Sequence, residues 1–419
     1  MRFDLHAVGR SSHSESVDDI EPAELWRAKL KRVGIAVALT FAGMGFAASP
    51  APALDLGEWV PGLKLSPFLS ERVEYNSNVF QTPNHTQDDV IFKTIPGFVI
   101  DYTFGSHSVS AGYRAEILNY VSLTNQDTVN NVMAFQLRLD FPRWLLTLKD
   151  DFTQTNDPPN SELTGPIKST TNVLTPEAEF RVTTRFSTGV SYSWTRVRFE
   201  DPSIGDLIDR DEHAIGGSVY WKFVPKADVG LTYLYDQTNF TNSSVRDYSS
   251  HEVRVGLRGD LTAKLSSTLY VGYLWRIGDT LDQTSWNGVT FGGDITYKPT
   301  ERTTISLSTG RRPEESTFLT TPFYLTSNAR LLVQHQLLPK LSIGGSIGGG
   351  INDYATKQTV GAVTDWRRDS FLSVGAQAEY TIQPWLRVGL EYLFTRRDSN
   401  FNAFDFDEHL VTGRVTLQF

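Results

Sequence analysis

Read in twos from its C-terminal end, the chain alternates. In His409–Phe419, Val411, Gly413, Val415, Leu417 and Phe419 fall on one face. Thr412, Arg414, Thr416 and Gln418 fall on the other, where Leu410 is the exception. A strand points successive side chains to opposite faces, so this is the pattern of a strand with one apolar side. The same alternation recurs upstream. Val253, Val255, Leu257 and Leu261 oppose Glu252, Arg254, Arg258 and Asp260, and Leu386, Val388, Leu390, Tyr392 and Phe394 oppose Arg387, Glu391 and Arg397. Met133, Phe135, Leu137, Leu139 and Phe141 oppose Gln136, Arg138 and Asp140. In Leu265–Ile277 the apolar face is interrupted by Ser267, and Tyr270 and Leu274 sit on the polar one.

These runs are punctuated in a regular way. Short turns are expected near Gly105-Ser106, Pro142-Arg143, Thr183–Arg185, Val224–Lys226, Thr262–Lys264, Pro299–Arg302, Leu338–Lys340 and Gln383-Pro384. Between them lie longer stretches rich in Asn, Asp, Thr, Pro and Gly, near 76–89, 122–128, 155–167, 201–209, 238–246, 278–285, 313–321, 355–364 and 399–405. Such composition is loop chemistry. The unit of two runs, a short turn and a long loop predicts about eighteen antiparallel strands from Lys64 to Phe419. The fold class expected is therefore all-β, an up-and-down transmembrane barrel of outer-membrane type. Short turns would face the periplasm and long loops the outside. A soluble sandwich or propeller also alternates. The runs here often reach roughly 10–15 residues, against about 5–6 for globular strands. Aromatics also collect at their ends: Trp144, Trp221, Tyr297 and Trp385 near the short turns, and Tyr75, Trp194, Tyr235, Trp275 and Phe394 toward the long loops. Two interfacial girdles produce that distribution.

The N-terminal part reads differently. Lys29, Lys31 and Arg32 precede the apolar run 33–48, and Ala51 and Ala53 follow in an A-x-A arrangement. This reads as a signal peptide cleaved after Ala53. A single transmembrane anchor is the alternative, but the run is short of the roughly 20 residues a spanning helix needs. The domain plan is thus an N-terminal extension and signal peptide over 1–53, a periplasmic lead-in over 54–63 and a barrel over 64–419. The segment before the apolar run is long and carries Asp18, Asp19 and Glu21.

Composition changes this picture little. The chain has 419 residues and no cysteine, which suits an exported protein without disulfides. Its mean hydropathy of -0.27 would suggest a soluble protein, but half of each barrel strand faces a polar lumen. A net charge of -9 argues against nucleic acid as a partner.

Residues 70–127, with Tyr75-Asn-x-Asn-Val-Phe80, a Pro96-Gly97 strand and a Tyr-rich return, resemble a β-barrel porin family often encoded beside exopolysaccharide synthesis genes. The turn patterns at Phe141-Pro-Arg-Trp, Leu338-Pro-Lys and Gln383-Pro-Trp resemble it too. The terminal aromatic Phe419 is similar to the closing residue that barrel assembly machinery favours. The resemblance implies an outer-membrane location among lipid and lipopolysaccharide, passage or export of polysaccharide, and no catalytic residues.

Enzyme chemistry finds little footing. Gly344-Gly-Ser346-Ile-Gly348 matches G-x-S-x-G without a following helix. His251, His335 and His409 fall on outward faces, where a Ser/His lipid-cleaving pair would sit, although an interfacial histidine is the plainer reading. The acidic stretch 200–212 could hold Ca²⁺ but lacks EF-hand spacing. Nothing calls for a cofactor. What remains is the inward face, with expected lumen-lining groups Arg114, Glu116, Arg138, Asp140, Glu252, Arg254, Arg258, Asp260, Arg276, Arg387, Glu391 and Arg414, joined by Arg72, Glu74, Lys149, Glu179, Arg181, Arg330 and Glu379. Both signs are mixed, so either a salt-bridged interior or a wet, weakly selective lumen follows. A barrel of about eighteen strands is too wide for side chains to fill, although an infolded loop could narrow it.

Overall fold

In a computed structural model, which describes residues 54–55, 60–158, 161–242, 244–278, 285–318 and 321–419, the chain is a closed antiparallel barrel. The expected signal peptide and its expected cleavage site at Ala51 and Ala53 lie outside the described residues. A two-residue strand β1 (Leu54–Asp55) lies against Leu65 and Lys64. Eighteen barrel strands follow: β2 (Leu63–Asn76), β3 (Asp89–Phe104), β4 (His107–Tyr120), β5 (Thr128–Asp140), β6 (Trp144–Thr155), β7 (Ser169–Arg181), β8 (Phe186–Phe199), β9 (Arg210–Val224), β10 (Ala227–Phe240), β11 (Tyr248–Asp260), β12 (Leu265–Gly278), β13 (Trp286–Thr300), β14 (Thr303–Glu315), β15 (Phe323–Leu338), β16 (Leu341–Val360), β17 (Val363–Gln383), β18 (Leu386–Ser399) and β19 (Phe406–Gln418). Each pairs with its sequence neighbours. The last closes on the first, from Leu410 opposite Asn76 to Gln418 opposite Phe68.

The alternation decides which wall each residue faces. Val253, Val255, Val271 and Tyr273 are exposed on the outside, while Glu252, Arg254 and Gly272 point inward. Trp144, Trp221 and Tyr297 stand exposed near the short-turn rim. At the other rim six of the nine hairpins share a diagonal device. A tyrosine on the ascending strand bonds a residue two places above its cross-strand partner: Tyr113 to Asn131, Tyr192 to His213, Tyr233 to His251, Tyr273 to Asn287 and Tyr392 to His409, all at 2.7–2.9 Å. Tyr75 and Asp88 repeat it. An amphipathic ring with a satisfied hydroxyl suits the membrane–water interface.

Two departures from the sequence reading matter. The stretch 355–364, expected as a loop, is the end of a long hairpin. β16 runs to Val360, β17 starts at Val363, and Gly361 turns the chain at φ +61°. The β-branched residues Thr359, Val360, Val363 and Thr364 extend the strands, and glycine supplies the positive φ of a two-residue turn. Second, β13 and β14 stop pairing at Phe291–Arg311, whereas β14 and β15 continue to Glu315–Phe323. Pro313 lies in that run, where β14 is an edge and proline has no N–H to give a neighbouring ladder. The freed hairpin tip buries Phe323, Tyr324 and Leu325.

The register makes a direct prediction. Val255→Arg on the lipid face should impair assembly by up to about 2–4 kcal/mol near the midplane, whereas Arg254→Gln on the inner face, which keeps an amide donor beside Glu252, should leave assembly intact. Heat-modifiable migration of the two variants checks this, and the reverse result would invert the register.

Candidate functional site, the lumen and its constriction

The inner wall is built from ion pairs within a strand and between strands, two of them supported by a ring laid on a glycine. Tyr220 lies over its cross-strand partner Gly230, where a Cβ would clash with the ring at 2.5 Å. On that ring, 3.6 Å from its centroid, rests the guanidinium of Arg258. Arg258 then reaches Glu179 at 2.8 Å and Asp228 at 3.2 Å. Tyr270 over Gly292 repeats the device for Arg254, which stacks at 4.2 Å and pairs with Glu252 at 2.6 Å. This explains the tyrosine on the otherwise polar face of β12.

The remaining inward groups sort themselves along the wall. Arg114 pairs with Glu116 at 2.8 Å. Asp140 takes both Arg138 and Arg181, each at 2.7 Å. Glu379 receives Arg414 at 2.6 Å and lies 3.7 Å from Arg387, which also bonds Gln418. Glu391 and Asp260 are exposed, the latter at the short-turn rim beside Gly259 with φ +112°. Two expected lining groups are covered. Glu252 is 4% exposed beneath Arg254 and Thr290, whose hydroxyl donates to it. Arg276 is 5% exposed, because the tipped β14–β15 hairpin lies against it: Glu315 accepts from its guanidinium at 2.6 and 3.2 Å, and Tyr248 and Phe323 sandwich it.

At the long-loop end a clasp crosses the lumen that the sequence reading did not locate. The loop 156–168 leaves β6 and returns to β7, yet its contacts lie far round the barrel. Ser161 bonds Asn352 of β16 at 2.7 Å and accepts at its carbonyl from Arg397 of β18 at 2.9 Å. The Glu162 carboxylate accepts from the Ser316 hydroxyl at 2.7 Å and from the backbone and hydroxyl of Thr317. Leu163 and Ile167 pack on Val197, Phe199, Ile208 and Phe240 beneath a short helix α1 (Pro202–Ile208). Neighbouring loops lock in. Arg246 donates to the carbonyls of Ser316, Pro322 and Leu207. Arg367, wholly buried, makes a two-pronged pair with Asp369 at 2.9 and 2.6 Å under the ring of Phe404. Arg397 bonds the Phe404 carbonyl at 2.6 Å.

Burial pushes the Glu162 carboxyl above the ordinary carboxylate range, although hydrogen bonds from Thr317 and Ser316 and the charge of Arg367 pull it down. A signal existed in the sequence. The expected loop carries Leu163, Gly165 and Ile167 among its polar residues, which a purely solvated loop has no need of.

The residues raised for other chemistry are otherwise engaged. Ser346 lies mid-strand in β16 rather than at a strand-to-helix turn. His251 and His409 bond tyrosines, and His335 bonds Thr303 at 3.0 Å. In the acidic stretch, Asp201 caps α1, Asp209 accepts from Phe199 N–H, Asp211 pairs with Arg196 and Arg198, and Glu212 pairs with Arg210.

A closed barrel of eighteen antiparallel strands, apolar outside, charged within and narrowed from the long-loop end, is the architecture of an outer-membrane porin. The chain belongs to the family described as Putative beta-barrel porin 2, whose model matches residues 56–419. Solved structures similar to it in fold include outer-membrane protein OpdK of Pseudomonas aeruginosa with vanillate, at 12% identity and TM-score 0.46 over 85% of this chain and 99% of that one. OccK2 (OpdF) of the same organism with glucuronate has 12% identity and TM-score 0.47 over 85% and 98%. OccAB3 of Acinetobacter baumannii has 11% identity and TM-score 0.44 over 85% and 99%. No curated protein matches the sequence.

Two expectations follow from the clasp. Arg367→Ala should cost about 3–5 kcal/mol of local stability, because it leaves Asp369 charged and buried; limited proteolysis of the outer loops reads this as faster cleavage. Glu162 titrates higher when docked than when free, so the docked loop binds the proton better. Docking therefore strengthens as pH falls through that raised value and weakens above it. Conductance should drop as the loop side is acidified through that raised value, and Glu162→Gln should abolish that part of the dependence.

Proposed function

We propose that this protein is a passive channel for small polar solutes or saccharides, with its selectivity step at the clasp of loop 156–168 and the facing arginines. The observation that carries the reading is the combination of a wide closed barrel with an inner wall of paired, mixed charges. Groups of that kind are costly against lipid and tolerated in a wet lumen. An eighteen-strand barrel leaves more interior than its side chains fill. A transverse loop then sets the width without closing the wall. The mixed signs favour polar or weakly charged solutes over one ion sign, since Arg258 lies between two carboxylates, Glu179 and Asp228, while Asp140 and Glu379 are each shared by two guanidiniums. The second reading, a non-conducting docking barrel in an exopolysaccharide export assembly, draws on the extent of the clasp.

Planar-bilayer recordings with sugar block separate the two. The channel reading expects discrete conductance steps that saccharides interrupt. The docking reading expects none, together with retention on a polysaccharide-export complex. Within the channel reading, Arg254→Glu with Arg258→Glu should move reversal potentials toward cation preference. The shift should be largest at low ionic strength, because salt screens these lumen charges over about 10 Å at 0.1 M. An unchanged reversal potential in a conducting barrel would assign selectivity to the clasp alone.

A further inference from the structure

We propose that the outer wall formed by β2–β7 packs against a second copy of this chain within the membrane. Two carboxylates carry the argument. Asp150 lies between its cross-strand neighbours Phe135 and Leu174 on the outward face of β6. Glu71 stands outward on β2, beside Val415 and Thr94. Each sits well inside the apolar band. Glu71 is four residues below Tyr75 of the tyrosine belt. Asp150 is four below Gln154, which accepts from the belt residue Asn131 at 2.9 Å. At a rise of about 3.3 Å per residue and a tilt near 40°, both acids lie roughly 10 Å below the belt. Among the described residues each receives one side-chain hydrogen bond, Asp150 from Asn172 at 2.7 Å and Glu71 from Thr94 at 3.0 Å. An ionised carboxylate has two oxygens and room for about four donors. Hydrocarbon supplies none, so an ionisable group at this depth marks a protein contact rather than a lipid one.

A second observation points to the same face. Six of the nine outer hairpins carry the diagonal tyrosine pair that suits lipid headgroups, whereas β6–β7, β14–β15 and β16–β17 do not. In β6–β7 Phe152 stands opposite Asn172, and Asp150 and Asn172 form the outward polar pair instead. The loop of that hairpin turns into the lumen, toward Ser316 and Asn352, and so leaves the outer rim beside it clear for a neighbour.

The occupant follows from the chemistry of the patch. It carries acceptors and donors together: Asp150 and Glu71 as acceptors, the Asn172 amide and Thr94 hydroxyl as donors. A face holding both halves of each pair is complementary to itself, which is what a symmetric contact between identical chains requires.

The chain has no cysteine, which makes the test clean. Leu174→Cys, outward beside Asp150, should couple through a flexible bis-maleimide in native outer membranes to a species of twice the chain mass. Leu331→Cys, on the outward face of β15 eight strands away from β7, should not. Asp150→Leu with Asn172→Leu gives an ordinary apolar wall. It should assemble and lower the Leu174→Cys coupling at least tenfold. Equal coupling at both cysteine sites, a product of any other mass, or undiminished coupling in an assembled leucine variant would overturn the proposal. Should the leucine variant fail to assemble, the comparison of the two cysteine sites decides by itself.

Discussion

Every peptide group inside a bilayer must find its hydrogen-bond partner within the protein, because hydrocarbon supplies none. For a chain of strands this demands that the sheet meet itself, and the pairing of β19 with β2 is where it does so. An even number of strands, both ends at one rim and a strict inside–outside alternation are consequences of that closure. The same demand explains why Pro313 and the unpaired edge of β13 fall at the outer end, where a strand can leave the ladder and water or loop groups can take over its bonds.

Closure also relocates the hydrophobic core. Among the described residues the hydrophobic clusters lie at the outer end rather than in the middle of the barrel, as Val79 with Ile91, Leu118 and Tyr120, and as Val197 with Phe199, Ile208 and Phe240. These small clusters hold the loops over the lumen, and the buried pairs Arg276–Glu315 and Arg367–Asp369 fix their direction. A buried pair of this kind adds little net stability over an apolar filling, but it penalises misplacement of either partner. That suits a region whose task is geometry.

Strand order, strand faces and the turn rim were legible in the sequence because each depends on residues two to twelve positions apart. The alternation of Val253, Val255 and Leu257 with Glu252, Arg254 and Arg258 set a register that needed no distant information. The constriction was not legible. Glu162 meets Ser316 from 154 positions away, and nothing local distinguishes its loop from its neighbours except a few apolar residues. The burial of Arg276 has the same origin, for it depends on the end of the β14–β15 hairpin, which continues past the last β13–β14 pair. The 355–364 hairpin was missed for a different reason. Its polar composition resembled a loop, and only the β-branched flanks of Gly361 spoke for strands.

The tyrosine belt has a consequence for how such a wall can change over time. Because the tyrosine and its acceptor belong to the same hairpin, each of the six hairpins that has the pair carries its own depth gauge and does not borrow it from the rest of the ring. Inserting or deleting a whole hairpin would alter the circumference while every surviving unit kept its height in the membrane. A wall assembled from self-levelling units can therefore vary its bore in steps of two strands without renegotiating its fit to the bilayer.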